Sequence, residues 1–121
     1  MTALKVVVLD RDTLCKRPFA FDFEHELIEY PLTAPQETAA RLAGADIAIS
    51  NKVRIDAELL AANSQLKLVA VAATGYNNVD IAAARQSGTT VCNIPAYSTQ
   101  RVAQTAILLM LGLSSSMQRQ Q

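Results

Sequence analysis

The chain has 121 residues, which is the size of one ordinary domain and enough to bury a hydrophobic core. Its eleven basic side chains balance eleven acidic ones without a cluster of either sign, which argues against nucleic acid as a partner. Half of the residues are apolar, but the longest uninterrupted apolar run near the C-terminus, residues 106–111, is far shorter than the roughly 20 residues that cross a bilayer.

The two cysteines and the first residues indicate a compartment. Cys15 and Cys92 are too few and too far apart for a metal-ligand or redox pair, so we expect two free thiols, with Cys92 buried. Residues 1–9 lead directly into a strand-like apolar run and lack the pattern of an export signal. We therefore expect a cytoplasmic protein with no membrane partner.

Five short apolar runs rich in Val, Ile and Ala predict five β-strands. They cover residues 5–9, 26–30, 46–50, 68–72 and 90–93. Helical spacing between them predicts helices over residues 35–42, 57–62 and 79–86.

Polar residues and glycines mark the ends of these predicted helices. Asp56 and Asn78 precede the second and third helices in N-cap positions, and Gly44 and Gly88 follow the first and third. Residues 10–23, by contrast, are rich in charge and contain a proline. A loop is therefore predicted in place of the first crossover helix.

Strands that alternate with helices form parallel β-α-β units, and near-continuous apolar strands indicate a sheet covered on both faces. The pattern predicts an α/β protein with a flavodoxin-like, doubly wound parallel sheet of five strands in the order 2-1-3-4-5. Ligands of such sheets bind beyond the carboxyl ends of the strands, in the crevice where the strand order reverses.

Residues 98–113 predict a terminal helix whose second half is apolar in every direction around its axis. Helices of that kind are normally buried on all sides. In a domain of this size a terminal helix covers one sheet face, so the outer side of this helix requires a partner. A second copy of the chain and a further domain explain the pattern equally well. Residues 114–121 lose the apolar patterning, and we expect them to fray.

Three segments lie at the predicted crevice: residues 50–53, 73–78 and 94–97. In the middle segment, backbone N–H groups near Gly75 and the start of the next helix suit a small carboxylate or phosphate. The structural alternative is that Gly75 supplies a positive φ for a turn and that Asn78 only caps the helix.

Single side chains near the crevice also have two interpretations. Lys52 is either a solvated surface lysine or an attractor for an anionic substrate. Tyr97 either fastens the following helix to the sheet or brings a hydroxyl to the ligand. The one histidine, His25, is expected to be exposed or structural, because no acid–base pair can be assembled around it. We expect no catalytic residue and no metal site in this chain.

The glycines argue against a dinucleotide site within the chain. They stand at Gly44, Gly75, Gly88 and Gly112, and no two have the two-residue spacing that the dinucleotide fingerprint requires. We therefore expect the chain by itself to bind no cofactor.

Longer motifs resemble one family. Residues 66–80 read LKLVAVAATGYNNVD, Gly88 precedes a strand, and residues 91–104 read VCNIPAYSTQRVAQ. In this combination the chain resembles the D-isomer-specific 2-hydroxyacid dehydrogenases over essentially its whole length. Its YSTxxVAQ form is most similar to the glycerate dehydrogenase and hydroxypyruvate reductase branch. Asn77 and Gln104 stand where many members carry Asp and Glu, which looks like variation within the family.

The resemblance implies a reaction and a domain organisation. Such enzymes interconvert 2-keto acids and D-2-hydroxy acids by hydride exchange with NAD or NADP, which a second, Rossmann domain binds. Residues 1–97 would form the substrate-binding domain, and residues 98–121 an interdomain helix that leads to the cofactor domain. The family's glycine-rich loop and its catalytic Arg, Glu and His follow this stretch, so they match no residue here. The chain alone is expected to be inactive.

The resemblance also assigns residues to ligands. Amides around Gly75 and Tyr76 would bind the substrate carboxylate, Val53 would close the pocket, and Val102 would lie near the nicotinamide. The residues assigned to the substrate are Val53, Thr74, Gly75, Tyr76 and Tyr97.

Other proteins of similar size fit less well. A receiver domain would use Asp10 and Asp12, but it needs an aspartate after the third strand and a lysine after the fifth, where Ser-Asn and Ile-Pro stand. A flavodoxin needs a phosphate loop after the first strand, where Asp10 and Asp12 would repel phosphate. The remaining alternative is a stand-alone binding or oligomerisation module without catalysis, whose apolar helix a second copy covers.

Overall fold

The computed structural model describes residues 2–115, which form a single five-stranded sheet with helices. The strands are β1 (Leu4–Val8), β2 (His25–Glu29), β3 (Ile47–Ser50), β4 (Leu68–Val71) and β5 (Thr90–Cys92). The α-helices are α1 (Thr38–Leu42), α2 (Ala57–Ala62), α3 (Ile81–Ser87) and α4 (Thr99–Ser114). Short 3₁₀ turns occupy Arg11–Thr13 and Pro35–Glu37. The predicted fraying beyond residue 115 lies outside the described residues.

All neighbouring strands run parallel, and their order is β2-β1-β3-β4-β5, which confirms the predicted fold class and strand order. Val6 of β1 pairs with Leu27 on one side and Ile47 on the other, so this apolar strand lies in the interior of the sheet. Branched side chains suit this position because they pack well on a pleated surface. The parallel arrangement gathers the carboxyl ends of all five strands at one edge.

Helices cover one face of the sheet. The main core lies between that face and the helices, and it includes Val7, Leu9, Val69, Leu42 and Leu60, all fully buried. None of the helices among residues 2–115 has the length and apolar content needed to cross a membrane.

The 10–23 loop covers part of the opposite face. Phe19 and Phe21 pack against Val6, Val8 and Ile49, as a crossover helix would otherwise do. The prediction of a loop in place of the first helix is therefore confirmed.

The rest of this second face, over β4 and β5, is open. Cys92 and Thr90 are exposed there, whereas Val91 packs into the main core on the other side. Both cysteines are free, as predicted, but the predicted burial of Cys92 is wrong. The reason is that α4 does not return over β5: none of its described residues is buried. The expectation that this helix covers a sheet face is wrong for the same reason.

The predicted helix ends are partly right. The Asp56 carboxylate accepts the N–H of Leu59 at 3.0 Å and caps α2. Gly88 ends α3 in the left-handed conformation, with φ of 73°. Asn78, however, does not cap α3, because the cap is Asp80, whose carboxylate accepts the N–H of Ala83 at 3.0 Å.

Candidate active site

The loops that follow β3, β4 and β5 meet at the carboxyl edge of the sheet. The N–H of Ala72 donates to the Ser50 carbonyl at 2.8 Å, and the N–H of Ile94 donates to the Ala73 carbonyl at 3.0 Å. These bonds extend the strand pairing into the loops. The three segments predicted at the crevice are therefore adjacent in space.

The turn formed by residues 74–77 presents a row of unused backbone donors. The N–H groups of Thr74, Gly75, Tyr76 and Asn77 donate to no acceptor within residues 2–115, and all four residues are exposed. Because these four donors are exposed and have no acceptor in the described chain, they can donate to water or to a ligand. An anionic ligand with several acceptor oxygens matches this row best.

Gly75 has no local structural requirement for glycine. Its φ is not in the left-handed region, so the alternative that it supplies a positive φ is wrong. An added Cβ would meet only the Asn77 side-chain oxygen, at an ordinary contact distance of 3.7 Å. What the missing side chain does provide is access to the backbone from outside.

Side chains from the neighbouring segment hold the 74–77 turn in this orientation. The Asn93 side-chain amide donates to the Thr74 carbonyl at 2.8 Å, and the Thr74 hydroxyl donates to the Ile94 carbonyl at 3.1 Å. The Thr74 carbonyl and hydroxyl are thereby hydrogen-bonded to the residues that follow β5, whereas the N–H groups of the 74–77 turn have no acceptor in the described chain. Asn93 was not singled out from sequence, because nothing in its spacing shows that it reaches Thr74.

The 50–53 loop lies at the same edge of the sheet, but its backbone donors are occupied. The Asp10 carboxylate accepts the N–H of Asn51 at 3.0 Å and that of Lys52 at 2.6 Å. The Ser50 hydroxyl accepts the N–H of Val53 at 3.1 Å. This wall of the crevice therefore offers side chains and carbonyls to a ligand, and no backbone N–H from residues 51–53.

Val53 lies where the 50–53 loop meets the core. Its side chain is only 9% exposed and packs in the main core with Val79. Its carbonyl accepts the Asn78 side-chain amide at 2.8 Å. The same region contains a parallel bridge between Ile55 and Val79, which is why α3 begins after these residues and not at residue 79. Asn78 therefore connects the two crevice loops instead of capping a helix.

The cationic side chains Lys52 and Arg54 lie at the rim of this wall. Both are exposed, and neither forms an ion pair within the described part of the chain. A cavity of about 380 Å³ lies beside them and is lined also by Asp10, Thr33 and Leu59. A second cavity of about 460 Å³ lies beside the 74–77 turn, between α3 and β5.

Tyr97 lies in the segment between β5 and α4. Its side chain is 65% exposed, so it does not fasten α4 to the sheet. The residue before it, Ala96, has a φ of 57°, and it is the one non-glycine residue with positive φ in the described chain. Such strained residues concentrate at functional sites. Sequence alone gave no sign of this strain.

His25 is structural, as predicted. It starts β2 far from the crevice, its Nδ1 lies 2.7 Å from the Phe23 carbonyl, and its ring contacts Phe21 and Phe23 edge-on.

The turn after β1 does not have the features of a dinucleotide-binding loop. The turn after β1 contains the buried Asp10 carboxylate where a pyrophosphate loop would need glycines and free N–H groups. No group of three or more His, Cys, Asp or Glu side chains within residues 2–115 is arranged to hold a metal ion.

Comparison with known proteins places this arrangement in one family. The family model described as "D-isomer specific 2-hydroxyacid dehydrogenase, catalytic domain" matches residues 6–120. The chain is 46% identical over 110 residues to a glycerate dehydrogenase of Methylorubrum extorquens, and the match covers 90% of this chain and 35% of that protein. It is 38% identical over 116 residues to a hydroxypyruvate reductase of Blautia hydrogenotrophica, with 89% and 35% covered.

A solved structure has the same fold. The NAD⁺-bound 3-phosphoglycerate dehydrogenase of Entamoeba histolytica superposes with a TM-score of 0.70 at 27% sequence identity, over 92% of this chain and 39% of that one. The chain thus spans about a third of the length of the curated relatives named above. Because the family model covers nearly all of its residues, the chain belongs to the D-isomer-specific 2-hydroxyacid dehydrogenases.

Proposed function

We propose that this chain forms the substrate-binding part of an NAD(P)-dependent oxidoreductase that interconverts a 2-keto acid and a D-2-hydroxy acid. Hydroxypyruvate and glycerate are the proposed substrate pair, because the relatives quoted above are a glycerate dehydrogenase and a hydroxypyruvate reductase. The observation that carries the proposal is the row of four free N–H groups in the 74–77 turn.

In this proposal the substrate carboxylate accepts hydrogen bonds from the N–H groups of Gly75 and Tyr76. A carboxylate has about four acceptor sites on two oxygens, so adjacent backbone donors can hold both oxygens and fix the direction of the bond to C2. The missing side chain of Gly75 allows this approach, and Thr74 holds the turn through its carbonyl and hydroxyl. Charge attraction by the exposed Lys52 would assist the entry of the anion.

Val53 and Tyr97 are the remaining proposed substrate residues. The backbone of Val53 would form the opposite boundary of the pocket, since its side chain packs inward. The exposed Tyr97 hydroxyl would contact the substrate from the segment that leads to α4. Both roles follow from the family resemblance and from the position of these residues at the crevice.

The cofactor and the acid–base residues are proposed to lie in another domain. Residues 1–97 would form the substrate-binding domain and residues 98–121 the helix that leads to a Rossmann domain, with Val102 near the nicotinamide. NAD or NADP would supply the hydride there, as the family resemblance implies; in this chain the turn after β1 lacks the glycines of a pyrophosphate loop.

A second candidate function is that of a binding and oligomerisation module without catalysis. The specific observation in its favour is the exposure of large apolar side chains along α4, including Ile107, Leu108, Leu109 and Met110. In an isolated 121-residue chain a second copy would cover this helix.

Oxidation of NADH tests the enzymatic proposal. We expect no turnover of hydroxypyruvate or glyoxylate by the 121-residue chain, and turnover by a longer protein in which the same chain is followed by its cofactor domain. Turnover by the 121-residue chain alone would contradict the proposal that the cofactor and the acid–base residues lie in another domain. An inactive longer protein that still binds NADH would favour the module without catalysis.

A further inference from the structure

Asp10 is a buried carboxylate without a cationic partner. It follows β1, its exposure is 2%, and it forms no ion pair with any residue in the range 2–115. Burying a charge is costly unless strong hydrogen bonds replace the lost water. Both oxygens of Asp10 accept the N–H of Asn51, at 3.0 and 3.1 Å, and one also accepts the N–H of Lys52, at 2.6 Å.

These hydrogen bonds connect residues that are 41 and 42 positions apart in sequence, and they act on one peptide segment. The main chain at Asp10 is held in place, because the Thr13 N–H and hydroxyl both donate to the Asp10 backbone carbonyl, at 3.0 and 2.8 Å. Asp10 therefore occupies the donors of the 50–53 loop in the way that a bound carboxylate would occupy them.

The two walls of the crevice differ as a result. On the 50–53 side the N–H groups of Asn51, Lys52 and Val53 all have acceptors inside the chain, whereas the 74–77 turn has four free donors. Of these two neighbouring loops, only the 74–77 turn has backbone donors without an acceptor in the described chain.

We propose that Asp10 is a positioning residue. By accepting the N–H groups of Asn51 and Lys52, it prevents them from binding the substrate, so the substrate carboxylate binds at the 74–77 turn. The proposal rests on the proposed function for the identity of the ligand, but its structural part does not. Without Asp10, the two freed N–H groups would compete for the carboxylate and the 50–53 loop would lose its fixed conformation.

The test uses the 121-residue chain, labelled with ¹⁵N, as the unmodified protein and as Asp10→Ala and Asp10→Asn. Asp12→Ala is the matched control, since Asp12 is a neighbouring aspartate that is exposed to solvent. The readouts are the amide resonances and hydrogen-exchange rates of Asn51 and Lys52, and the set of amides that shift when oxamate, a small carboxylate with an adjacent carbonyl, is added.

We expect exchange at Asn51 and Lys52 to be about tenfold faster or more in both Asp10 variants, because each amide loses a hydrogen bond to a charged acceptor. Formate should restore the resonances of Asp10→Ala by occupying the vacated site. Oxamate should perturb residues 74–77 in the unmodified chain, and additionally Asn51 and Lys52 in Asp10→Ala. The Asp12→Ala control should have the same exchange rates and the same oxamate-shifted amides as the unmodified chain.

Unchanged exchange and resonances at Asn51 and Lys52 in the Asp10 variants would overturn the proposal. Global unfolding of Asp10→Asn would overturn it too, because Asp10 would then support the whole core and not one loop. If oxamate fails to perturb residues 74–77 in the unmodified chain, the proposed carboxylate site fails. The positioning of the 50–53 loop by Asp10 is still decided by the amides of Asn51 and Lys52.

Discussion

Of two residues at the crevice, the alanine and not the glycine occupies the left-handed region. Gly75 has no left-handed φ, although glycine alone adopts that region without strain, whereas Ala96 has a φ of 57°. The left-handed conformation costs an alanine about 1–2 kcal/mol, which the surrounding structure must offset. We therefore propose that glycine at position 75 keeps the backbone accessible, whereas the segment that leads to Tyr97 contains a strained residue.

Replacing Ala96 by glycine should stabilise the chain. The change removes the left-handed penalty and adds part of the entropy cost of glycine, so we expect a gain of about 0.5–1 kcal/mol in the free energy of unfolding. Urea denaturation followed by circular dichroism measures it. Ala82→Gly, at an exposed position inside α3, is the matched control and should lower stability by about 1 kcal/mol. Equal losses in both variants would show that Ala96 is not strained.

Replacing Gly75 by alanine should separate binding from stability. The new methyl group meets only the Asn77 oxygen at 3.7 Å, so the free energy of unfolding should change by less than about 0.5 kcal/mol. The methyl group adds bulk within the 74–77 turn, so we expect at least about tenfold weaker oxamate binding, measured by the NMR titration. Gly112→Ala adds the same group where it has no neighbour within 4 Å, and it should bind oxamate normally. Normal binding by Gly75→Ala would place the carboxylate elsewhere.

At the scale of elements, the 10–23 loop covers part of one sheet face, where a crossover helix would otherwise pack. Arg11 makes several of the contacts that hold this loop in its conformation. The Arg11 guanidinium pairs with Glu29 at 2.7 Å and donates to the Cys15 and Arg17 carbonyls at 2.6 and 2.7 Å. It also lies over the Phe19 ring, 5.0 Å from its centre. A planar group with several donors can make these contacts simultaneously, which an ammonium group cannot.

Replacing Arg11 by alanine should therefore loosen the loop. Loss of the ion pair, two hydrogen bonds and the ring contact should lower the free energy of unfolding by about 1.5–3 kcal/mol. Arg11→Lys should recover only a part of this, because the guanidinium geometry is lost. Arg54→Ala, at an exposed arginine without an ion pair in the described chain, is the control and should change stability by less than about 0.5 kcal/mol. An Arg11→Lys variant as stable as the original chain would contradict the argument from geometry.

Asp46 joins the amino ends of the central strands and makes stability depend on pH. The Lys5 backbone N–H, which donates to it at 2.9 Å, and then the Lys67 ammonium, 3.0 Å away, lower its pKa below the ordinary value of 3.8. A carboxyl group with a lowered pKa in the folded state stabilises the fold above its unfolded pKa, and this contribution disappears as the pH falls through the folded pKa.

Asp46→Asn should therefore reduce the acid sensitivity of the fold. At neutral pH the variant should be less stable than the unmodified chain, and the difference should shrink once the pH falls below 3.8. Denaturant midpoints measured across this pH range check the effect. A difference that does not change with pH would show that the lost contact is not electrostatic. The pair is partly exposed, so added salt should weaken its contribution.

At the scale of the whole molecule, α4 exposes a large apolar surface. Its exposed apolar residues follow one another around the axis, and soluble proteins rarely leave such surfaces bare. In the proposed longer enzyme, a cofactor domain would share this helix. For the 121-residue chain, we propose that self-association removes the same surface from water.

Self-association should respond to charge on α4 and not to charge elsewhere. Leu109→Glu should shift the sedimentation coefficient of the concentrated chain to that of a monomer, because a carboxylate in the apolar interface would be desolvated. Leu32→Glu is the control, since Leu32 and Leu109 are both 61% exposed in the structure. A chain that sediments as a monomer at all concentrations would exclude α4 as a contact between copies.

The fold was predictable to a large extent. The predicted strand over residues 5–9 and the observed strand Leu4–Val8 differ by one residue at each end, and the strand order follows from the direction of parallel connections. The errors concern tertiary context. Asn78 has the chemistry of a cap but bonds to Val53, and Cys92 lies in an apolar strand whose outer face is open.

The candidate site was predictable only in part. The motif around residues 74–77 indicated a place where N–H groups meet an anion, but the contributions of Asn93 and Asp10 left no local pattern. Asn93 acts on Thr74, which is 19 residues away, and Asp10 acts on Asn51, which is 41 residues away. Such contacts exist only after the strands have paired.

The sequence by itself determined the α/β class and the family, because hydrophobic periodicity and motif spacing are properties of neighbouring residues. Only the tertiary structure decided which backbone donors at the crevice are free. Every residue other than proline has one N–H group, and its state depends on an acceptor that can come from anywhere in the chain. Asp10 and Ser50 occupy the donors of one loop, while the described chain brings no acceptor to the 74–77 turn.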